Sequence, residues 1–269
     1  MRAESLQRGD DALVWRGGTW VILPAYNEAK ALPSLLDGLA RLAGAWHDHA
    51  SHPLRLQVIV VDDGSVDGTA EAAEGFADRV PVTVLRHSRN EGLTAAIRTG
   101  MAYACRAAAP DDVIITMDAD NTHRPEQIPD LVRTVASGAD IVIASRYHRG
   151  ARQAGVPRHR ELLSAGVCRL LGWRYGLPDI RDYSCGYRAY RAGLLHRALH
   201  AHGDRLITAG GFAAPAELLT KLAEFTPRVV EIPLDLRYDL KVGSSKMPTM
   251  RTIVAYLRLL SAPRPRLRV

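Results

Sequence analysis

The chain has 269 residues, 47% of them hydrophobic, enough for one large domain or a domain with an appendage; no apolar run nears the ~20 residues of a bilayer-spanning helix. Its formal net charge of +6 points to a polyanionic partner: a nucleotide, a lipid phosphate, an anionic membrane or nucleic acid. Nucleic acid fits least, because aromatics make up only 6% of the chain and interleave with no basic stripe.

Residues 1–18 are polar and read as a loose extension without the apolar centre of a signal peptide. Thr19–Leu23 is a first strand, ended by Pro24, and Asn27–Leu42 a helix with leucines at 32, 35, 36 and 39. A second strand, Gln57–Val61, runs into Asp62-Asp63-Gly64-Ser65 and a helix over 68–77. Val82–Leu85 is a strand, Leu93–Ala108 a helix, Val113–Met117 a strand, Pro125–Ala136 a helix and Ile141–Ala144 a strand. Strands alternating with helices predict an α/β fold with a doubly wound, mostly parallel sheet and helices on both faces. No G-x-G-x-x-G follows the first strand, so a dinucleotide site is unsupported. The second half is less regular, with arginine-rich loops and a short helix over 162–171. Three cysteines, Cys105, Cys168 and Cys185, have no metal spacing and cannot all pair, which fits a reducing cytoplasm.

Three strand ends carry polar clusters: Pro24-Ala25-Tyr26-Asn27-Glu28, Asp62 to Thr69, and Asp118-Ala119-Asp120. In a doubly wound sheet such carboxyl ends converge on one crevice. Two carboxylates one residue apart repel unless a cation holds them, and Mg²⁺ commonly arrives with substrate phosphates. The plainer alternative is an N-cap by Asp120 or Asn121 ahead of Pro125.

The order and content of these clusters, with Asn90-Glu91-Gly92-Leu93 and Ala144-Ser145-Arg146-Tyr147, resemble the family 2 glycosyltransferases of the GT-A fold over residues 19–250. Arg181-Asp182-Tyr183-Ser184-Cys185-Gly186-Tyr187-Arg188, then Glu217-Leu218-Leu219, then Lys241-Val242-Gly243-Ser244-Ser245-Lys246, are similar to blocks of the dolichol- or polyprenol-phosphate mannosyltransferases. The resemblance implies a GT-A catalytic domain over 19–247, followed by an amphipathic helix and basic tail over 248–269.

It also implies roles. Pro24, Tyr26, Glu28 and Asp63 would hold the base and ribose of a nucleotide diphosphate sugar, the carboxylates accepting from base N–H or ribose hydroxyls. Asp118 and Asp120 would carry Mg²⁺ or Mn²⁺ on the diphosphate. The family often adds a glutamine two residues after the second Asp; Thr122 stands there, and His123 is either a ligand or a loop hydrogen-bonder. Arg146 and Arg160 are assigned to the acceptor phosphate or the donor pyrophosphate. Lys241, Ser244 and Lys246 would complete the phosphate cage, and Glu217 belongs to the substrate-binding set.

A hydroxyl acceptor needs a base, and the second half lacks the Glu-Asp pair that family 2 enzymes typically use for it. A phosphate monoester, with a second pKa near ~6, is already mostly dianionic and needs cations instead. The expected catalytic residues are therefore Asp120, Arg146 and Asp182, with Asp182 the base if the acceptor is a hydroxyl after all. The expected reaction moves a hexose, mannose from GDP-mannose foremost, to polyprenyl phosphate. The alternative is a soluble glycosyltransferase with a hydroxyl or small-molecule acceptor.

Met250, Ile253, Val254, Leu257 and Leu260 form an apolar helical stripe beside Arg251 and Arg258, with Arg264, Arg266 and Arg268 in the tail. It reads either as an interfacial helix peripheral to the cytoplasmic membrane face or as a helix packed on the protein's own sheet.

Overall fold

The computed structural model describes residues 17–45, 55–177, 179–226, 228–241 and 249–262. Strands β1 (Thr19–Ala25), β2 (Leu56–Asp62), β3 (Val82–Arg86) and β4 (Val113–Thr116) alternate with helices α1 (Leu32–Ala45), α2 (Thr69–Glu74) and α3 (Leu93–Ala107). Helix α4 (Ile128–Ala136) leads into β5 (Ile141–Ser145), and β6 (Arg152–Ala154) into α5 (Arg158–Tyr175). There follow β7 (Arg188–Arg191), α6 (Ala192–His202), α7 (Ala214–Leu222), β8 (Val229–Pro233), β9 (Asp235–Arg237) and α8 (Thr249–Ser261).

The main sheet runs β3-β2-β1-β4-β7-β5-β8, with β6 and β9 forming a separate parallel pair. Every pairing in the main sheet is parallel except those of β7, which is antiparallel to β4 and β5. The apolar runs Val21–Leu23, Val58–Val61, Val113–Ile115 and Ile141–Ala144 are buried on both faces, as strands covered by helices on each side require. Leu32, Leu35, Leu36 and Leu39 of α1 face this core. On α3, Gly100 permits close approach to the sheet: a Cβ there would lie 2.4 Å from Ile22 Cγ2.

Several boundaries differ from the sequence reading, those of three helices most. Helix α1 begins at Leu32, because Asn27 takes a left-handed φ of 51° and the Glu28 carbonyl accepts the Ala31 and Leu32 amides in a turn. Helix α2 is confined to Thr69–Glu74, starting after Gly68 at φ 84°. Helix α5 is longer than expected and stops where Gly176 adopts φ 61°.

Strand β7 was not foreseeable from apolar patterning, since its four residues are Arg-Ala-Tyr-Arg. Arg188 is nonetheless wholly buried in mid-sheet, where its guanidinium donates to the carbonyls of Tyr183 (2.8 Å), Asp182 (3.4 Å) and Pro215. It ties the segment before β7 to the start of α7.

Candidate active site

The carboxyl ends of β1, β2, β4 and β5 open onto a cavity of about 1090 Å³. Pro24, Tyr26, Glu28 and Asp63 wall one part of it, and Asp118, Asp120, Arg146, Arg160 and Lys241 another. The cavity thus gathers nine of the residues singled out in the sequence. Ser244 and Lys246 lie outside the described residues.

Pro24 does not end β1, which continues to Ala25. Along a parallel strand, successive N–H groups alternate between neighbours, and position 24 faces the β4 side. The β1–β4 register ends at Ile22 paired with Thr116, so proline's missing donor leaves no ladder bond unmade. The loops after β1 and β2 are then stitched together. The Asn27 amide donates to Ser65 Oγ (2.9 Å) and the Val66 amide to Asn27 Oδ1 (3.0 Å). The Glu28 amide donates to Thr69 Oγ1 (2.8 Å) and the Ala29 amide to Asp67 Oδ2 (3.1 Å). These bonds fix where Tyr26 and Glu28 meet the cavity.

Asp63 is nearly inaccessible and joins a third loop. Its carboxylate accepts from the backbone amides of Glu91 (2.9 Å) and Gly92 (2.8 Å) and lies 2.7 Å from His87 Nδ1. Gly64 makes this crossing possible: at φ 70°, a Cβ would sit 2.3 Å from the Arg89 carbonyl carbon. Asp63 thereby anchors the Asn90–Leu93 motif, which itself lines the cavity.

Asp118 and Asp120 meet at the cavity floor. Burial, reinforced by the Asp120 charge, raises the Asp118 pKa. Burial also acts to raise Asp120, but an ion pair with Lys241 and hydrogen bonds from Thr122 outweigh it and hold that carboxyl below its ordinary value. The same pair raises Lys241 against the effect of burial. Thr122, where the family often has glutamine, thus serves Asp120 through its hydroxyl (2.6 Å) and amide (3.2 Å). His123 Nδ1 accepts the Asp118 amide (3.1 Å) and its ring stacks on Tyr187 at 4.9 Å, so it acts as a loop hydrogen-bonder.

The residues present fit a divalent cation shared with a ligand. Two hard carboxylates, one of which already draws the Lys241 ammonium, form a cation-attracting pair. Among the described residues, no cluster of three His, Cys, Asp or Glu side chains could enclose a metal, so further oxygens would come from substrate phosphates and water.

The structure corrects the reading of Asp182 as a base. Its side chain is fully buried and receives Arg146 Nε (2.8 Å), Arg146 Nη2 (2.7 Å), and the amides of Arg146, Ser184 and Cys185 (3.1, 3.1 and 2.9 Å). Burial alone would raise its pKa, but Arg146 and these donors hold it at about 2. A carboxylate so occupied neither reaches a substrate hydroxyl nor accepts its proton. Its work is to fix Arg146, whose own pKa is raised well above normal by Asp182 despite burial. Glu231 of β8 supports the arrangement by accepting the Arg181 and Asp182 amides (2.8 and 2.6 Å).

Glu217 is also corrected. Its carboxylate turns away from the cavity to accept the amides of Thr208 and Ala209 (2.6 Å each), the Thr208 hydroxyl (2.7 Å) and Lys221 Nζ (2.6 Å). It secures the turn before α7, and its neighbour Leu218 lines the cavity instead.

Tyr238 is a cavity residue that sequence reasoning missed. Its hydroxyl receives Arg160 Nη1 (2.7 Å), and its ring lies 6.0 Å from the Arg160 guanidinium and 5.7 Å from Lys241 Nζ. Its place three residues before Lys241 is the only sequence cue to it.

Comparison with known proteins gives the family and the fold. Residues 20–199 match the family described as Glycosyl transferase family 2. A dolichol-phosphate mannosyltransferase of Pyrococcus furiosus is 34% identical over 88% of the chain, which spans 61% of that protein, under two thirds of its length. An undecaprenyl-phosphate mannosyltransferase of Micrococcus luteus is 34% identical over 84% of the chain and 86% of its own. A polyprenol monophosphomannose synthase of Mycolicibacterium smegmatis is 32% identical over 85% of the chain and 80% of its own. Glucosyl-3-phosphoglycerate synthase from Mycobacterium tuberculosis, crystallised with Mn²⁺, UDP and phosphoglyceric acid, superposes with a TM-score of 0.64 at 20% identity, over 92% of this chain and 80% of its own. That likeness establishes the GT-A fold, and the sequence matches establish the family: the chain belongs to glycosyl transferase family 2.

Proposed function

We propose that this protein is a divalent-cation-dependent, inverting glycosyltransferase that moves mannose from GDP-mannose to polyprenyl phosphate. One observation carries the acceptor class: Asp182, the candidate base had the acceptor been a hydroxyl, is locked onto Arg146 at a pKa of about 2. The site is thus built to present a fixed cation, which suits an acceptor that brings its own negative charge. The relatives named for transfer to dolichol- and undecaprenyl-phosphate support the same class.

In this reading, Pro24, Tyr26, Glu28 and Asp63 hold the nucleoside, with the loop stitching that fixes Tyr26 and Glu28 already in place. Asp118 and Asp120 hold Mg²⁺ or Mn²⁺, which when bound neutralises the diphosphate leaving group. Lys241 leaves Asp120 for a donor phosphate. Arg146 and Arg160, braced by Asp182 and Tyr238, draw the acceptor phosphate to the anomeric carbon for in-line displacement. Among the described residues no helix is long and apolar enough to cross a membrane, and the reading has the protein meet its acceptor at the cytoplasmic membrane surface.

The test is incubation with GDP- and UDP-sugars, polyprenyl phosphate and Mg²⁺ or Mn²⁺, followed by mass spectrometry, with Asp120→Ala as control. A glycolipid absent from the control is the expected result. Donor hydrolysis without glycolipid would discard the lipid acceptor and turn the search to soluble hydroxyl acceptors.

A further inference from the structure

His87 is a largely buried histidine that the proposed reaction leaves unused. It directly follows β3, and its side chain is 10% exposed. Backbone pairing sets its place. In the β2–β3 register Asp62 pairs with Arg86, and the His87 amide donates to the Asp62 carbonyl (2.9 Å), which brings the imidazole beside Asp63. Asp63 is pinned from the other side as well, its own amide donating to the Ala25 carbonyl of β1 (2.8 Å).

The partners of the ring define its tautomer. The Glu91 and Gly92 amides donate to Asp63 Oδ1 and Oδ2, so the carboxylate is the acceptor, and the 2.7 Å contact with His87 Nδ1 requires the hydrogen on that nitrogen. In a neutral ring Nε2 then accepts the Thr99 hydroxyl of α3 (2.9 Å). With a partner at each nitrogen the ring is held against rotation. The segment 87–99 thus surrounds Asp63 with an imidazole, a pair of amides and the helix that steadies the imidazole. An ionised carboxylate offers about four acceptor positions. Among the described residues three are taken: His87 and Glu91 donate to Oδ1 and Gly92 to Oδ2, so the position left for a ligand lies on Oδ2.

We propose that His87 is a positioning residue for the donor base. It saturates Oδ1 and fixes the plane of the Asp63 carboxylate, so that Oδ2 alone meets the base and accepts one ring N–H, N1–H of guanine or N3–H of uracil. Asp63 is among the residues lining the cavity, whereas His87 and Thr99 are not, so the effect of the imidazole passes through the carboxylate. The inference rests on the reading of Asp63 as a nucleoside-holding residue, and nucleotide binding tests it without turnover.

The test is titration calorimetry of the full chain with GDP and with UDP in the presence of Mn²⁺, for the wild type, His87→Asn, His87→Gln and His87→Ala. Asparagine places an N–H where Nδ1 stands and so reaches Asp63 but not Thr99. Glutamine carries its polar atoms to the Nε2 position and so reaches Thr99 but not Asp63. Expected are a nucleotide affinity within about threefold of wild type for His87→Asn and about tenfold weaker for His87→Gln and His87→Ala. In an Asp63→Ala background, His87→Gln should weaken binding no further, because the residue through which it acts is gone. A merely structural role would instead make affinity follow melting temperature across the variants and would persist without Asp63. An Asn variant as weak as the Gln variant, indifference to all three substitutions, or additivity with Asp63→Ala would overturn the assignment. Should His87→Ala fail to fold, the comparison of Asn with Gln still decides. The two readings fail separately: nucleotide binding that ignores the His87 variants sinks the assignment of His87 alone, whereas a wild type that binds neither nucleotide sinks the nucleoside reading of Asp63 and the assignment with it.

Discussion

Replacing Asp182 with Asn tests whether the residue is a strut or a base. The substitution keeps the shape but removes the charge facing Arg146 Nε and Nη2, and presents an NH₂ to donors that need an acceptor. Two routes give its cost. The fall of the Asp182 pKa from 3.8 to about 2 corresponds to roughly 2 kcal/mol of stabilisation at neutral pH. Removing one partner of a buried ion pair typically costs about 3–5 kcal/mol, because the other charge is left uncompensated. A loss of about 3 kcal/mol is expected, or a melting temperature lower by roughly 6–12 °C for a chain of this size. Since the folded-state pKa is depressed, the stabilisation is complete above the unfolded value and disappears as pH falls from about 4 toward 2. Wild type should therefore lose stability across that window, and Asp182→Asn should lack that part of the loss. Thermal or urea unfolding at a series of pH values measures both, and a double-mutant cycle with Arg146→Met isolates the coupling. An Asp182→Asn protein with wild-type stability but abolished turnover would refute the strut and restore the base.

Other predictions concern the cavity and its supports. Lys241→Ala should tighten Mn²⁺ binding to the nucleotide-free protein by about tenfold, read by titration calorimetry, because an ammonium no longer competes for Asp120; unchanged affinity would mean that the pair does not guard the acids. The same variant should raise the KM for the donor. Glu217→Gln should cost about 1–3 kcal/mol by loosening the Thr208–Ala209 turn while leaving donor binding within a few-fold of wild type; a selective loss of donor binding would return Glu217 to the site. Gly100→Ala should destabilise by about 1–3 kcal/mol in chemical denaturation, since its methyl collides with Ile22, and a neutral result would show that α3 shifts freely on the sheet.

The donor half was legible because each strand there is a branched apolar run that stops at a polar cluster, so periodicity alone locates Pro24, Asp63 and Asp118 at one edge of the sheet. Motif context also brought Arg146, Arg160 and Lys241 to that cavity. What the sequence hid were partnerships. Asp182 and Glu217 stand in family-like blocks, yet their carboxylates are consumed by donors up to thirty-six residues away, and the Arg146 and Thr208 partners follow from no local pattern. Strand β7 carries arginine at both ends, and its Arg188 is held by tertiary carbonyls, so only Ala189 and Tyr190 contribute apolar burial. The outward leucines of α5 depart from the rule that an apolar helical face turns to the core.

The position of β7 bears on how the chain folds as it emerges from the ribosome. Residues 19–116 can assemble β3-β2-β1-β4 without later sequence, but β5 touches that sheet only through β7. Until Arg191 has been synthesised, β4 is an open sheet edge and β5 an apolar strand with no neighbour in it. Both are templates for pairing with another chain during the seconds that translation of the intervening ~75 residues takes. Expression yield should therefore respond more sharply to slow codons between β4 and β7 than to those elsewhere, a kinetic burden that the finished sheet conceals.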